Sequence, residues 1–221
     1  MKSQLHTLLV HQRREETLQG YESIGKFHDG MFECDYVTPW TISGNNFDAD
    51  VMVIGQDWSS SGHLSRPRSE LENEAAIGFS PRFPTNSNLD GLLARHFGMS
   101  RGQCFLTNVF PYIKRGKASA PIRRSDLVLM AERFTLREIE IVEPRLAICL
   151  GKEAFLALRR AKGIKGNPKM DELIASPFEH RAAQIHASAH LGSWGFRNRG
   201  PGRVEADWTN YAACLKAVLA A

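Results

Sequence analysis

The chain has 221 residues, of which 43% are hydrophobic and 24% are charged, as is usual for a globular domain. This composition argues against a disordered, collagen-like or coiled-coil chain, and no apolar run approaches the roughly 20 residues of a membrane-spanning helix. Lysine and arginine number 28 against 24 aspartates and glutamates, a net charge of +4. That excess is compatible with a polyanionic partner but does not require one.

The use of cysteine predicts a reducing compartment. The four cysteines are far apart in the sequence, and no C-x-x-C pair occurs. Two of them, Cys104 and Cys149, lie in apolar runs that are typical of buried strands, where a free thiol behaves as a small apolar side chain. The first residues also lack the long apolar core of a signal peptide. We therefore expect a cytoplasmic protein with free thiols, no membrane association and a monomeric state.

Short apolar runs alternate with helical patterns along the chain. Four runs predict strands, at residues 51–54, 104–107, 146–150 and 183–185, and the first three are continuous enough to be covered on both faces. Helical spacing of apolar residues is found at residues 3–19, 88–97, 124–142, 153–160 and 207–219. The alternation predicts an α/β fold, a three-layer α/β/α single domain over residues 1–221 with a central four-stranded, mostly parallel sheet.

Two segments fall outside this alternation. Residues 1–45 are expected to form a helical or irregular segment that packs on the core. The polar stretch 59–87 is expected to be a loop over the carboxyl ends of the strands, which is where ligands bind in sheets of this kind.

Polar side chains follow three of the predicted strands. Asp57 could orient a water or oppose a positive charge, although an Asp at this point also caps a helix. Asn108 could read the edge of an amide-containing ring, although Asn is also common in turns. His186 could donate to an oxygen that gains negative charge, or it could belong to an ordinary polar loop. A metal site at His186 and His190 is disfavoured, because no further His or Cys stands at ligand spacing.

Two other features lie between or beyond these residues. Phe79 could stack on a planar ligand or simply anchor its loop in the core. Basic residues cluster after the Asn and His segments, where they could neutralise phosphates or be solvated surface: Lys114, Arg115, Lys117, Arg123 and Arg124, then Arg197, Arg199 and Arg203. The turn at Gly151 and Lys152 lacks the spacing of a P-loop.

Four short motifs resemble, in this order, those of the uracil-DNA glycosylase superfamily. They are Gly55-Gln56-Asp57, Gly78-Phe79-Ser80, Thr107-Asn108-Val109 and His186-Ala187-Ser188. The resemblance implies that Asp57 and His186 are catalytic and that Gln56, Phe79 and Asn108 bind the base. It further implies DNA contacts from Ser59, Ser61, Ser188, His190, Leu191, Ser193 and Arg197, with Leu191 as the residue that fills the gap left by a flipped base.

The activity implied is hydrolysis of the N-glycosidic bond of uracil or another deaminated base in DNA, the first step of base excision repair. No metal or other cofactor is implied, and the cysteine pair that would hold an iron-sulfur cluster is missing. The sequence departs from the best-known branch at Trp58-Ser59, which replace Pro-Tyr, and at Ala187, which replaces Pro. Two alternatives stay open: a weak or inactive glycosylase-like fold that binds nucleic acid or a free base, and an unrelated α/β hydrolase, which the absence of G-x-S-x-G disfavours.

Overall fold

A computed structural model describes residues 1–220 of the chain. Its strands are β1 (Tyr21–Glu22), β2 (Val51–Asp57), β3 (Phe105–Phe110), β4 (Ile113–Lys114), β5 (Leu146–Leu150), β6 (Phe178–His180) and β7 (Ala183–Ser188). Five of them form the central sheet in the spatial order β3-β2-β5-β7-β6, and β1 pairs with β4 in a separate two-stranded sheet.

Helices surround the central sheet. They are α1 (Lys2–Glu15), α2 (Ser61–Leu64), α3 (Arg68–Ile77), α4 (Pro84–Leu92), α5 (Arg124–Met130), α6 (Leu136–Val142), α7 (Lys152–Ala161), α8 (Met170–Ile174), α9 (Ser193–Arg199) and α10 (Pro201–Leu219). A π-helical turn, Ala131–Thr135, joins α5 to α6, and another, Leu93–Phe97, extends α4. None of the helices within residues 1–220 has the length and apolar character needed to cross a bilayer.

The fold expected from the sequence is confirmed. Strands β2, β3, β5 and β7 run parallel, and the short edge strand β6 is antiparallel to β7. The sequence did not predict β6 because its three residues carry no apolar run. The order of strands reverses at β2, which lies between β3 and β5. In parallel sheets such a reversal opens a crevice at the carboxyl ends of the strands.

Two apolar layers cover the sheet because alternate residues of each strand point to opposite faces. Met52 and Ile54 of β2 belong to the core that includes residues of α1 and α5 to α7. Val51 and Val53 belong to the opposite core, which includes residues of α4 and α10. A three-layer single domain results.

Three strands extend further than the apolar runs indicated. β2 continues to Asp57, β3 to Phe110 and β7 to Ser188. The prediction of a loop over residues 59–87 was wrong, since α2, α3 and the first turn of α4 lie there. Helix α3 buries only Leu71 and Glu74, so it shows no apolar stripe that would reveal it.

The N-terminal segment packs against the sheet layers through buried polar contacts. His6 Nε2 lies 3.1 Å from Glu138 Oε1, and Thr107 Oγ1 of β3 donates to Glu138 Oε2 over 2.8 Å. Arg13 pairs with Glu33 in the same segment and donates to the carbonyl of Tyr36. These contacts fix α1 and the residues after it on the core, because a buried polar group left without a partner is costly.

Candidate active site

A cavity of about 870 Å³ opens beyond the carboxyl ends of β2 and β3. Six of the side chains selected from the sequence line it: Gln56, Asp57, Ser59, Phe79, Asn108 and His190. Trp40 of the N-terminal segment also contributes to the wall, and the cavity extends to residues 118–122 and to Glu153 at the start of α7. The expected convergence at the strand ends is therefore present, although His186 is not part of it.

Asp57 is the last residue of β2 and is mostly buried, with 14% of its side chain exposed. Lys114 Nζ lies 2.8 Å from Oδ2, and Gln56 Nε2 donates to Oδ1 over 3.1 Å. Burial raises the pKa of Asp57 above its usual value, although the ion pair with Lys114 acts in the opposite direction. The two contacts also fix the direction in which the carboxylate faces.

Asn108 is held beside Gly55 by the register of the central strands. The two residues are partners in the β2–β3 ladder, and a Cβ at position 55 would collide with Nδ2 of Asn108. Oδ1 of Asn108 is buried and has no hydrogen-bond partner within residues 1–220. A buried acceptor of this kind costs about 1–3 kcal/mol when it is left unpaired, so a ligand N–H placed against it would be favoured.

Phe79 is positioned by a turn at the end of α3. Gly78 has a φ of +83°, a conformation that suits glycine, and its carbonyl accepts a hydrogen bond from Trp58 Nε1 over 2.8 Å. The guanidinium of Arg101 lies 4.0 Å from the centroid of the Phe79 ring. Arg101 covers one face of the ring, which leaves the other face to a planar group in the cavity.

A buried acidic residue braces the same turn. Ser80 Oγ donates to Glu74 over 2.8 Å, and His63 and Arg66 reach the same carboxylate at 2.7 and 2.9 Å. Burial raises the pKa of Glu74, but these hydrogen bonds outweigh it and leave the pKa below its usual value. An ionised Glu74 therefore ties α2 and α3 to the residue that follows Phe79.

His190 lies in the loop after β7 and faces the cavity. The backbone N–H of Gly192 donates to His190 Nδ1 over 3.0 Å, so Nδ1 is the acceptor and Nε2 carries the proton of the neutral ring. Solvent reaches this side chain through the cavity mouth. Even so, the protein atoms packed around the ring lower the pKa of His190 below its usual value. At neutral pH the ring therefore presents a neutral Nε2–H.

His186 lies elsewhere, and its position does not support the catalytic role given to it by the sequence. Strand β7 continues through it, only 5% of the residue is exposed, and its ring packs 5.2 Å from that of Tyr211. The apolar run at residues 183–185 ends before the strand does, because His186 and Ser188 of β7 are polar. Both face α10, where Trp208 Nε1 donates to Ser188 Oγ over 3.2 Å. The strand therefore ends at Ser188, and the histidine that lines the cavity is His190, four residues after His186.

Several residues that the resemblance implied as DNA contacts are not on the outer surface. Leu191 and Ser188 are 0% and 1% exposed, so neither can reach a nucleic acid, and Ser59 lines the cavity instead of the outer surface. Ser61 Oγ accepts the backbone N–H of Gly116 over 2.9 Å. Of the remaining candidates, Ser193 and Arg197 are exposed on α9.

Two residues of the site were not assigned to it from the sequence. Trp194 lines the cavity and is 75% exposed, with the Arg197 guanidinium 5.4 Å from its ring centroid. An exposed tryptophan at the start of a helix with no buried residue has no role in the core, and that lack of core spacing was the only signal in the sequence. Lys114 was recognised only as a member of a basic cluster, and its contact with Asp57 depends on the fold.

Within residues 1–220, no three His, Cys, Asp or Glu side chains are grouped so that they could hold a metal ion. The ionisable residues on the far side of the cavity, Arg124 and Glu153, face each other at 3.6 Å.

Comparison with known protein families agrees with the geometry. The profile of the uracil DNA glycosylase superfamily matches residues 42–199, which is more than two thirds of the chain and includes Asp57, Phe79, Asn108 and His190. No curated protein gives a significant match. On the strength of the family match and of the fold that accompanies it, the chain belongs to the uracil-DNA glycosylase superfamily.

Proposed function

We propose that the protein is a DNA glycosylase that hydrolyses the N-glycosidic bond of uracil, or of another deaminated base, and so begins base excision repair. Superfamily membership supports glycosylase-type chemistry. The observation that carries the proposal is the buried, unpartnered Oδ1 of Asn108 in the same cavity as Asp57 and His190. A base with a ring N–H beside a carbonyl would satisfy that acceptor.

Recognition begins when the base leaves the duplex stack, at a cost of a few kcal/mol. The flipped ring stacks on the free face of Phe79. Asn108 Oδ1 accepts from N3–H, and its Nδ2 donates to O4. Cytosine has an acceptor at N3 and a donor at C4, so the same amide would face two mismatched groups and reject it.

Cleavage separates charge between the sugar and the base. The C1′–N1 bond breaks with its electron pair going to the base, so the sugar becomes cationic and the uracil anionic. Asp57 opposes the positive charge and orients a water, which adds to C1′ and gives its proton to the Asp57 carboxylate. The Nε2–H of His190 donates to O2, where negative charge develops. Every step uses a side chain that lines the cavity.

The activity can be tested with oligonucleotides that carry uracil, hypoxanthine or xanthine, as single and double strands, followed by alkaline cleavage of abasic sites. We expect breaks at uracil. Replacing Asn108 by Ala should lower the excision rate by about 10- to 100-fold, because two hydrogen bonds to the base are lost, each contributing about 0.5–1.5 kcal/mol. Breaks on none of the three bases, with DNA still retained, would favour a binding protein without catalytic function. An unchanged rate in Asn108→Ala would remove the proposed recognition.

Trp194 takes the role that the sequence had suggested for Leu191. It is more exposed than Phe83, the other large exposed apolar side chain that lines the cavity, and we propose that it fills the gap in the stack that a flipped base leaves. Base–aromatic stacking contributes about 1–3 kcal/mol, so Trp194→Ala should slow excision from double strands by about 5- to 100-fold.

Single-stranded uracil DNA supplies the control for this variant. A single strand leaves no gap in a paired stack, so its excision rate should change by less than about threefold in Trp194→Ala. Single-turnover kinetics on the two substrates measures both effects. An equal loss on both would show that Trp194 supports the cavity and does not fill the stack.

A further inference from the structure

A buried lysine faces the proposed catalytic carboxylate. Lys114 is 4% exposed, and its Nζ lies 2.8 Å from Asp57 Oδ2. In residues 1–220 no other carboxylate oxygen lies within 4.0 Å of this Nζ. A lysine in the interior is costly unless its charge is compensated, so Lys114 and Asp57 depend on each other.

The backbone fixes Lys114 from two sides. In the two-stranded sheet Lys114 is the partner of Tyr21, and on the other side it forms a bridge with Ser60, three residues after Asp57. Tyr21 is itself anchored, since its hydroxyl donates to Asp126 over 2.9 Å and its ring packs 4.6 Å from that of Phe110. The N-terminal segment therefore contributes a strand whose position determines where the ammonium group lies.

The other ionisable side chains of the cavity are engaged elsewhere or uncharged. His63 contacts Glu74, and Arg124 faces Glu153. His190 is near Asp57, but its lowered pKa leaves the ring neutral at pH 7. Burial alone would favour a protonated Asp57, which could neither oppose a sugar cation nor orient water. Lys114 is thus the cation available to keep that carboxyl group charged.

We propose that Lys114 is a positioning residue that keeps Asp57 ionised and oriented in the cavity, and that strand β1 of the N-terminal segment holds Lys114 in place for this purpose. Its catalytic meaning rests on the proposed function, but the ionisation of Asp57 is a property of the protein without DNA. The two ideas can therefore fail separately.

The direct test follows the Asp57 carboxyl carbon by NMR during a pH titration of the DNA-free protein. In Lys114→Met the midpoint should rise by at least about one pH unit, a tenfold change in proton affinity, whereas Lys114→Arg should stay close to the wild type. Lys2→Met is the matched control, since Lys2 pairs with Asp48 at 3.2 Å and lies outside both β1 and the cavity. An unchanged midpoint in Lys114→Met would overturn the proposal.

A double variant serves as the control for a loss of stability in Lys114→Met. Lys114→Met leaves a buried carboxyl group without its cation, whereas Asp57→Asn with Lys114→Met removes both charges and should recover the unfolding temperature. A double variant no more stable than the single one would contradict the mutual dependence of the pair.

The kinetic counterpart uses the excision rate as a function of pH. In Lys114→Met the fall of the excision rate at low pH should move to higher pH by the shift that NMR measures. At high pH, where Asp57 is ionised even without the lysine, the rate should largely return to that of the wild type. Lys114→Arg should keep the wild-type profile. A rate reduced equally at every pH would show a merely structural role. A DNA cross-link trapped by borohydride, and lost in Lys114→Met, would show that the amine attacks the sugar, and it would likewise overturn the positioning role.

Discussion

Asp57→Asn is expected to reduce uracil excision by about 10²- to 10⁴-fold, the usual contribution of a positioned catalytic carboxylate. The amide has the same shape as the acid, but it carries no charge to oppose the sugar cation and is a poor acceptor for the proton of the attacking water. Single-turnover excision from a uracil-containing single strand measures the chemical step without the cost of opening a duplex.

Binding and folding must be measured alongside that rate. Asp57→Asn should retain uracil-containing DNA, because Phe79 and Asn108 are intact, and it should lose some stability, because Lys114 then lacks its partner. A rate within threefold of the wild type in the folded variant would remove Asp57 from the mechanism.

His190→Ala is expected to lower the excision rate by about 10²- to 10³-fold, as the loss of one preorganised donor to a developing oxyanion does in other enzymes. The matched variant is His186→Ala, which removes the same side chain four residues earlier. It opens a space against Tyr211 in the interior and should cost stability, while the rate of the folded fraction changes by less than about threefold.

The pH dependence follows from the two perturbed groups. His190 has a lowered pKa and Asp57 a raised one, so falling pH is expected to protonate both and to end catalysis on the acid side. If His186→Ala proved the inactive variant and His190→Ala the active one, His186 and not His190 would be the catalytic histidine.

The sheet could be predicted from the sequence because its signal is local. Four residues in a row at 51–54 are apolar, which identifies a strand buried on both faces, and Asp57 then follows at the edge where ligands bind. Asn108 was placed at the same edge on the same grounds. The structure brings both into one cavity.

The histidine could not be chosen by local signals. His186 lies within β7 and His190 in the loop after it, and the extent of β7 depends on residues of α10: Trp208 donates to Ser188, and Tyr211 packs against the ring of His186. The family resemblance favoured His186 for its neighbours in the sequence. The hydrogen bond from Gly192 to His190 exists only once the loop has folded.

The burial of Leu191 and of Lys114 could not be predicted from their neighbours in the sequence either. A leucine in a polar loop gives no indication that it belongs to the core, and a lysine in a basic cluster gives none that it is buried. Each is explained by residues far away in the chain, Trp208 for the first and Asp57 for the second.

The pairing of Gly55 with Asn108 places one residue of the site within the central sheet, unlike Phe79 and His190. Because the amide is part of a parallel ladder, it can be displaced only by breaking strand pairing, and a slip of one residue would turn it toward Glu138 on the opposite side, where Thr107 now points. Phe79 and His190 stand on connecting segments outside the strand ladder, where hydrogen bonds and side-chain packing hold them. On the proposed function, the hydrogen-bonding edge of the base would therefore be read by a residue whose place depends on strand pairing, while the flat side and the leaving oxygen would be met by residues outside the sheet.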